Sequence, residues 1–249
     1  METRFSSVEG NSGIQSDIGI ILPTYCEAAN IGQLIDEIEG LKQKICILVI
    51  DDSSPDGTAN IVRSLQKKYS NILLSVRSKK SGLGTAITYG FKAFLSLKKP
   101  PKYIITMDAD YSHNPKEIPQ LIESIQQDYD LVIGSRYCRG GGARNWGVIR
   151  LIISRIANLI ASFRIAARIH DHTSGYRCYS FKLVRNIIDD LHSQTYEIQI
   201  ETIRQASLQK FRIKEVPITF ANRKKGKSKL TFNEIKDFLT YIFGLKRKY

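Results

Sequence analysis

Apolar residues along the first half of the chain follow two alternating rhythms. Ile18–Leu22, Ile45–Ile50, Ile72–Val76, Tyr103–Met107 and Leu131–Ile133 are short continuous apolar runs, the pattern of strands buried on both faces. Between them apolar positions recur at helical spacing, as at Ile31, Leu34, Ile35 and Ile38. Asp56-Gly57-Thr58 reads as the cap of a helix running to about Tyr69, a second helix follows Gly84, and Pro115 starts a third. Strands separated by helices in this way predict a mainly parallel α/β sheet covered on both faces. Ile213–Phe220, interrupted by Pro217, predicts an edge strand.

The second half reads differently. From Trp146 to His170 the spacing predicts helix, with a break near Ala161-Ser162. At 100° per residue, Arg150, Ser154, Asn158, Arg164 and Arg168 share one sector, with Arg155 beside it. Leu151, Ile152, Ile156, Leu159, Ile160 and Phe163 fill much of the rest. Such a helix is either a surface helix with solvated arginines or a cationic amphipathic element on a membrane surface. Residues 230–249 predict another, with Ile235, Phe238, Leu239 and Ile242 ahead of Lys246-Arg247-Lys248. The expected organisation is a disordered tail over 1–16, a main domain over 17–229 and a C-terminal basic helix.

Charge sharpens this picture. The formal net charge is +13, and it is segregated. Residues 136–185 hold nine arginines and one lysine against a single acid, Asp171. Residues 221–249 hold nine basic residues against Glu234 and Asp237. The α/β part is near neutral, so an anionic partner is expected at one face. The cations interleave with Ile and Leu rather than with stacking aromatics, which argues against nucleic acid. Cys26, Cys46, Cys138 and Cys178 show no metal or redox spacing and read as reduced thiols. No signal peptide and no membrane span is expected from the apolar runs present.

The candidate chemistry lies at strand ends. Asp108-Ala109-Asp110 terminates one apolar run and Asp51-Asp52 another, with Pro23-Thr24-Tyr25 at a third. In parallel sheets ligands sit beyond the carboxyl ends of the strands, where two such acids can share a hard divalent cation and its diphosphate. No dinucleotide fingerprint follows the first strand, so a nicotinamide-dependent dehydrogenase is not expected. Gly82-Leu83-Gly84, behind Arg77 and Lys80, is either a tight loop or a bearer of amides and cations for a phosphate.

Taken in order, the motifs resemble those of the dolichyl-phosphate mannose synthases of glycosyltransferase family 2. The matching stretches are Pro23-Thr24-Tyr25-Cys26-Glu27, Asp51–Thr58, Gly82–Ala86, Met107–Pro115, Gly134–Tyr137, Gly141-Gly142, Trp146, Arg150 and Ser154. Asp171–Arg177, Tyr196–Glu201, Glu215–Ile218 and Arg223-x-x-Gly226-x-Ser228-Lys229 complete the series. The resemblance runs from about Ile18 to Lys229, and Cys26 departs from the usual Asn.

The resemblance implies a GT-A fold, Rossmann-like, and inverting transfer of mannose from GDP-mannose to a dolichyl or other polyprenyl monophosphate with Mg²⁺ or Mn²⁺. By matching motif, Pro23, Tyr25, Glu27 and Asp52 line the donor pocket with Asp108 nearby. Asp110 is the principal metal ligand, assisted by Asp108, with Ser112 in the third metal-facing position. Arg136, Arg150 and Ser154 hold the acceptor phosphate, and Arg223 and Lys229 close over the donor diphosphate. Asp110, Arg136 and Arg150 form the expected catalytic set. Asp171 is read as holding an arginine rather than as a base, Glu201 as positioning the acceptor end, and His113, His170 and His172 as loop packing rather than zinc ligands. The implied setting is peripheral, on the cytoplasmic face of a membrane (endoplasmic reticulum in a eukaryote, plasma membrane in a prokaryote), with an integral anchor protein as a further partner. A UDP-glucose-dependent polyprenyl-phosphate glucosyltransferase is the nearest alternative; a non-catalytic membrane scaffold is another.

Overall fold

The structure is a computed structural model that describes residues 8–11, 13–165, 167–221 and 240–244. Its first half is the expected alternation: β1 (Ile18–Thr24), α1 (Ile31–Glu39), β2 (Ile45–Asp51), α2 (Thr58–Gln66), β3 (Ile72–Val76), α3 (Leu83–Leu95), β4 (Tyr103–Thr106), α4 (Ile118–Ile125) and β5 (Leu131–Ser135). There follow β6 (Gly142–Arg144), α5 (Val148–Arg164), β7 (Arg177–Ser180), α6 (Phe181–Ile187), α7 (Ile198–Leu208), β8 (Ile213–Pro217) and β9 (Thr219–Ala221). The seven-stranded sheet runs β3-β2-β1-β4-β7-β5-β8. Every pairing in it is parallel except those of β7, which is antiparallel to both β4 and β5.

Strand periodicity divides the core into two layers. On β2, Cys46, Leu48 and Ile50 join one layer with Phe91, Leu183 and Ile200, while Ile45, Ile47 and Val49 join the other with Leu34, Val62 and Leu121. Each fully buried aliphatic side chain contributes roughly 1.5–3 kcal/mol. The sheet's topology is thereby held from both sides, and the ends of β1, β2 and β4 are brought side by side.

Four local differences from the pattern have physical causes. Residues 8–11 and 13–16 are not a free tail: Glu9 makes an antiparallel bridge to Leu74 on the edge strand, and its carboxylate takes two hydrogen bonds from Arg63. The helix after Thr58 closes at Gln66, with Lys67–Tyr69 forming only turn bonds. The predicted edge strand divides at Pro217, so that β8 lies beside β5 and β9 pairs with β6 in a second small sheet. The helix predicted over 146–170 is unbroken at Ala161-Ser162 and ends at Arg164. Ile165 turns extended (φ −113°, ψ 121°) and is buried with Ile169 in the core.

That fifth helix is turned inside out. Its inward residues are Ser154, Asn158 and Ala161, whereas Val148 (73% exposed), Ile149 (76%), Ile152, Ile153, Ile156, Leu159 and Phe163 (69%) face outward. Asn158 explains the inward side: its amide donates to Ser154 O and Thr173 Oγ1, and its oxygen accepts from His172 N. Phe243 continues the apolar face at 60% exposure, beneath the Arg164 guanidinium 5.4 Å from its ring. Among the described residues no helix is long and apolar enough to cross a membrane.

Candidate functional site

An open cleft lies beyond the carboxyl ends of β1, β2 and β4. Pro23, Tyr25, Glu27, Asp52, Asp108 and Asp110 all line it, as do Lys80, Gly82, Leu83 and Tyr196. The six sequence-predicted residues are therefore brought together, at the end of the sheet where α/β proteins bind ligands.

Each strand leaves the sheet through a left-handed residue: Cys26 (φ 57°), Ser53 (φ 52°) and Tyr111 (φ 65°). Such backbone costs a non-glycine residue roughly 1–2 kcal/mol and concentrates at functional sites. Asn tolerates this conformation better than the Cys that stands at position 26. At Tyr111 the strain is held by packing and by the phenol, which donates to Glu37 Oε1 at 3.1 Å.

The paired acids divide their labour. Asp51 is fully buried and structural, accepting from Thr24 Oγ1, Ser54 Oγ and Ser54 N. Asp52 lines the cleft, with one oxygen on Arg77 Nε and the other accepting from Ser81 N at 3.1 Å. Arg77 also donates to Thr85 Oγ1 and Gly82 O. These contacts engage all three of its guanidinium nitrogens in holding the loop. Lys80 is the loop's cation toward the cleft, 4.7 Å from the Tyr25 ring.

The glycines serve a tight loop rather than a phosphate cradle. The amides of Gly84 and Thr85 donate to Gln194 O, and a Cβ on Gly82 or Gly84 would lie 2.3 or 2.4 Å from a carbonyl oxygen of the 193–194 segment. Only glycine permits that approach. Segment 192–195 is itself clamped, with Glu201 accepting from His192 N and Ser193 N and Glu197 from Gln194 N and Thr195 N. Glu201 thus supports the cleft wall that carries Gly82, Leu83 and Tyr196. Glu201→Gln is expected to raise the donor KM several-fold while leaving the acceptor KM unchanged, because a lost acceptor for buried amides costs about 1–3 kcal/mol locally. Steady-state kinetics with each substrate varied separately checks this.

The residues at the β4 end fit a hard divalent cation. Asp108 and Asp110 present oxygens to the cleft, Asp110 Oδ1 is oriented by Ser112 N at 3.0 Å, and Ser112 Oγ is buried without a hydrogen-bond partner among the described residues. An oxygen set with two carboxylates suits Mg²⁺ or Mn²⁺, which complete their shells with water and substrate phosphate. Among the described residues no group of three or more His, Cys, Asp or Glu gathers for a metal. His113 instead accepts from Asp108 N through Nδ1 and stacks on Tyr176 at 4.8 Å. Burial keeps it neutral, lowering its pKa to about 4.

Beside this end lies a cationic and aromatic cluster. Arg136 is buried, and its Nε and Nη2 each donate to Asp171 at 2.7 Å, with Nη2 also reaching Thr173 Oγ1. Burial opposes both charges, yet their mutual attraction prevails, raising the Arg136 pKa and lowering that of Asp171. Asp171 holds an arginine, as its sequence context indicated. The Arg136 guanidinium therefore arrives already paired, which weakens its assignment as a phosphate holder. Arg150 is exposed, 4.2 Å from the Trp146 ring, and Ser154 Oγ accepts from the Tyr137 hydroxyl at 2.8 Å. Asp108 lies within electrostatic reach of Arg136, and Phe220 touches both His113 and Trp146, so the two clusters adjoin. Arg223 and Lys229 fall outside the described residues, as does residue 235 with the rest of the predicted C-terminal helix before 240.

His172 is fully buried, and neither ring nitrogen has a partner among the described residues. Burial, reinforced by Arg177, lowers its pKa from 6.5 to about 4. The unfolded chain binds this proton more readily, so stability is fully present above about pH 6.5 and falls as pH drops toward 4. Linkage puts the loss from this group near 3 kcal/mol at most. Urea unfolding at pH 7 and pH 4.5 should show the fall, and His172→Gln should reduce it.

Comparison with known proteins agrees with this geometry. The family model "Glycosyl transferase family 2" matches residues 19–188, and the chain belongs to that family, with the GT-A fold expected of it. It is 36% identical over 220 residues to the polyprenol monophosphomannose synthase of Mycolicibacterium smegmatis, covering 88% of this chain and 82% of that one. It is also 36% identical over 213 residues to the undecaprenyl-phosphate mannosyltransferase of Micrococcus luteus, covering 85% and 86%. Among solved structures, the glucosyl-3-phosphoglycerate synthase of Mycobacterium tuberculosis, in complex with Mn²⁺, UDP and phosphoglyceric acid, superposes with a TM-score of 0.67. It is 18% identical and covers 95% of this chain and 81% of that one.

Proposed function

We propose that this glycosyltransferase moves mannose from GDP-mannose to a polyprenyl monophosphate with inversion at the anomeric carbon. The observation that carries the reading is the adjacency of an acid-lined nucleotide cleft, Asp108 and Asp110 included, to the Arg136–Trp146–Arg150 cluster, in a chain 36% identical to two polyprenyl-phosphate mannosyltransferases. A phosphate monoester has its second pKa near 6 and is largely dianionic at neutral pH. Its oxygen can attack the anomeric carbon without a general base, so no carboxylate need serve as one. What it needs is relief from repulsion by the donor diphosphate, which charge-assisted hydrogen bonds from Arg150, and from what remains available of Arg136, would supply. A divalent cation held by Asp108 and Asp110, with Ser112 nearby, would offset the charge that builds on the departing nucleoside diphosphate. Arg223 and Lys229 are proposed to add to that offset. Tyr25 and Lys80 would flank the donor, and Glu27 and Asp52 would bound its pocket.

The decisive experiment incubates the enzyme with a panel of nucleotide sugars and a polyprenyl phosphate and reads the lipid products by mass spectrometry. Polyprenyl-phosphate mannose formed only from GDP-mannose is the expected result; preferential glucosyl transfer from UDP-glucose would replace the donor assignment.

The outward apolar face of α5 supports seating at a lipid surface, with Arg155, Arg164 and Arg168 available to anionic headgroups. Replacing Ile152 and Phe163 together with Glu should lower sedimentation with anionic vesicles at least about ten-fold and leave the circular dichroism spectrum intact, since both side chains already face outward. An unchanged vesicle-bound fraction would remove α5 from the membrane contact. Attachment to a cytoplasmic membrane face, through this helix and an integral anchor protein, is part of the same proposal.

A further inference from the structure

Gln199 lies in the first turn of α7 and is only 3% exposed. Its side-chain oxygen is buried with no hydrogen-bond donor among the described residues, a condition uncommon in native folds. The other end of the amide faces Gly175. A Cβ built there would lie 3.3 Å from Gln199 Nε2, 3.7 Å from His113 Cε1 and 3.8 Å from Asp108 Oδ1. Three side chains from separate parts of the chain thus converge on one gap that glycine leaves open. The backbone at 175 is not left-handed, so its conformation does not call for glycine. The residue is part-exposed, and the gap adjoins the cleft: Asp108 and Tyr196 line the cleft, and Gln199 N donates to Tyr196 O at 3.1 Å.

The groups around this gap are held firmly. The buried Arg177 guanidinium donates to Gln199 O at 2.6 Å, Ser174 O at 2.7 Å and His172 O at 2.9 Å, tying the start of α7 to the loop before Gly175. Gly175 O accepts from Thr106 Oγ1 at 2.9 Å, which fixes it to β4. Asp108 N donates to His113 Nδ1 at 3.0 Å. An unmet amide oxygen beside a rigid, open gap suits polar atoms of a ligand, because the groups that receive them need not reorganise.

We propose that Gln199 is a specificity-determining residue for the donor sugar. Its amide hydrogen-bonds a hydroxyl of the hexose being transferred, and Gly175 keeps open the space that this part of the sugar fills. The inference rests on the sugar-transfer reading above and adds to it the residue that reads the sugar. A side-chain amide both donates and accepts, so it can meet a hydroxyl in either sense. The gap also lies beside Asp108, one of the two carboxylates proposed to hold the cation, so a sugar seated there keeps its diphosphate within that cation's reach. A site built to hydrogen-bond a hydroxyl rejects an analogue lacking it far more strongly than an apolar pocket rejects a missing methylene.

The test compares the wild-type enzyme with Gln199→Ala on GDP-mannose and on a series of its analogues, each lacking one hexose hydroxyl. The substitution should lower kcat/KM for GDP-mannose at least about ten-fold, the effect of one lost hydrogen bond to a buried group. The Kd of GDP, which has no hexose, should not change. For one analogue the two enzymes should differ by less than about two-fold, because the hydroxyl that Gln199 reads is already gone. Gly175→Ala should melt with the parent, since its closest contact is the end of a flexible side chain. It should nevertheless lose at least about ten-fold in kcat/KM, because the added methyl competes with the sugar. An equal loss across the whole series would make the role of Gln199 structural and overturn the inference. An unchanged kcat/KM in Gln199→Ala, or full activity in Gly175→Ala, would do the same and leave the mannosyl-transfer reading intact. Transfer of a different hexose, seen in the products, would instead replace the donor assignment, and the same comparison with that donor's analogues decides Gln199. A protein that transferred no sugar would overturn both.

Discussion

Asp110→Ala is expected to reduce divalent-metal-dependent transfer by about 10³-fold or more and to weaken Mn²⁺ binding measured directly by electron paramagnetic resonance in the presence of nucleotide. The side chain is only 3% exposed, lines the cleft beside Asp108 and has one oxygen fixed by Ser112 N. Removing it deletes one of the two carboxylates that the β4 end offers to a cation. Alanine also removes the acceptor for Ser112 N, so Asp110→Asn is the companion variant: it keeps a hydrogen-bond acceptor while halving the charge offered by the pair. Both variants should lose activity with little change in melting temperature. Activity near that of the parent with a chelator present would rule out the metal role for this position.

Asp171→Ala should destabilise the protein by about 3–5 kcal/mol, because it leaves the Arg136 charge buried without its partner. The arithmetic is not that of a surface pair. Arg136 and Asp171 are 7% and 0% exposed, and the carboxylate also accepts from the amides of Arg136, Thr173 and Ser174. For a chain of this size the melting temperature should drop by about 10 °C. Asp171→Asn should cost less, since an amide oxygen can still accept from those amides. Were Asp171 a catalytic base instead, Asp171→Asn would abolish turnover at full stability, an outcome this geometry does not accommodate. A melting temperature unchanged in Asp171→Ala would refute the structural role.

The parallel strands were legible because their burial on both faces leaves nothing but apolar residues between turns; Ile45–Ile50 could be little else. β7 was not, and the reason is chemical. Arg177 sits in a central strand fully buried, its guanidinium donating to Ser174 O, Gln199 O, Thr202 Oγ1 and His172 O. An arginine satisfied by carbonyls reads in sequence as a surface residue. The cleft acids Asp52, Asp108 and Asp110 were legible because they end apolar runs, a local signal. The contacts of Arg77 and Glu201 were not legible, since they depend on which distant segment each touches: Arg77 the Asp52 carboxylate, Glu201 the 192–193 amides. Of the helix expected over 146–170, Val148–Arg164 is helical, but periodicity gives no sign of which face points inward. That follows only from Asn158 being claimed by Thr173 and His172.

The inverted fifth helix carries Arg150 near its start and its isoleucines on the outside, so under the proposed function one rigid rod would bear both the headgroup contact and the lipid-facing surface. Docking and headgroup alignment would then be a single event. The enzyme would meet its acceptor by lateral diffusion, in two dimensions, with a rate that follows the mole fraction of acceptor in the bilayer and not its amount per volume. Diluting the acceptor with inert phospholipid at constant total acceptor should slow turnover, a behaviour that no freely dissolved phosphate ester would produce.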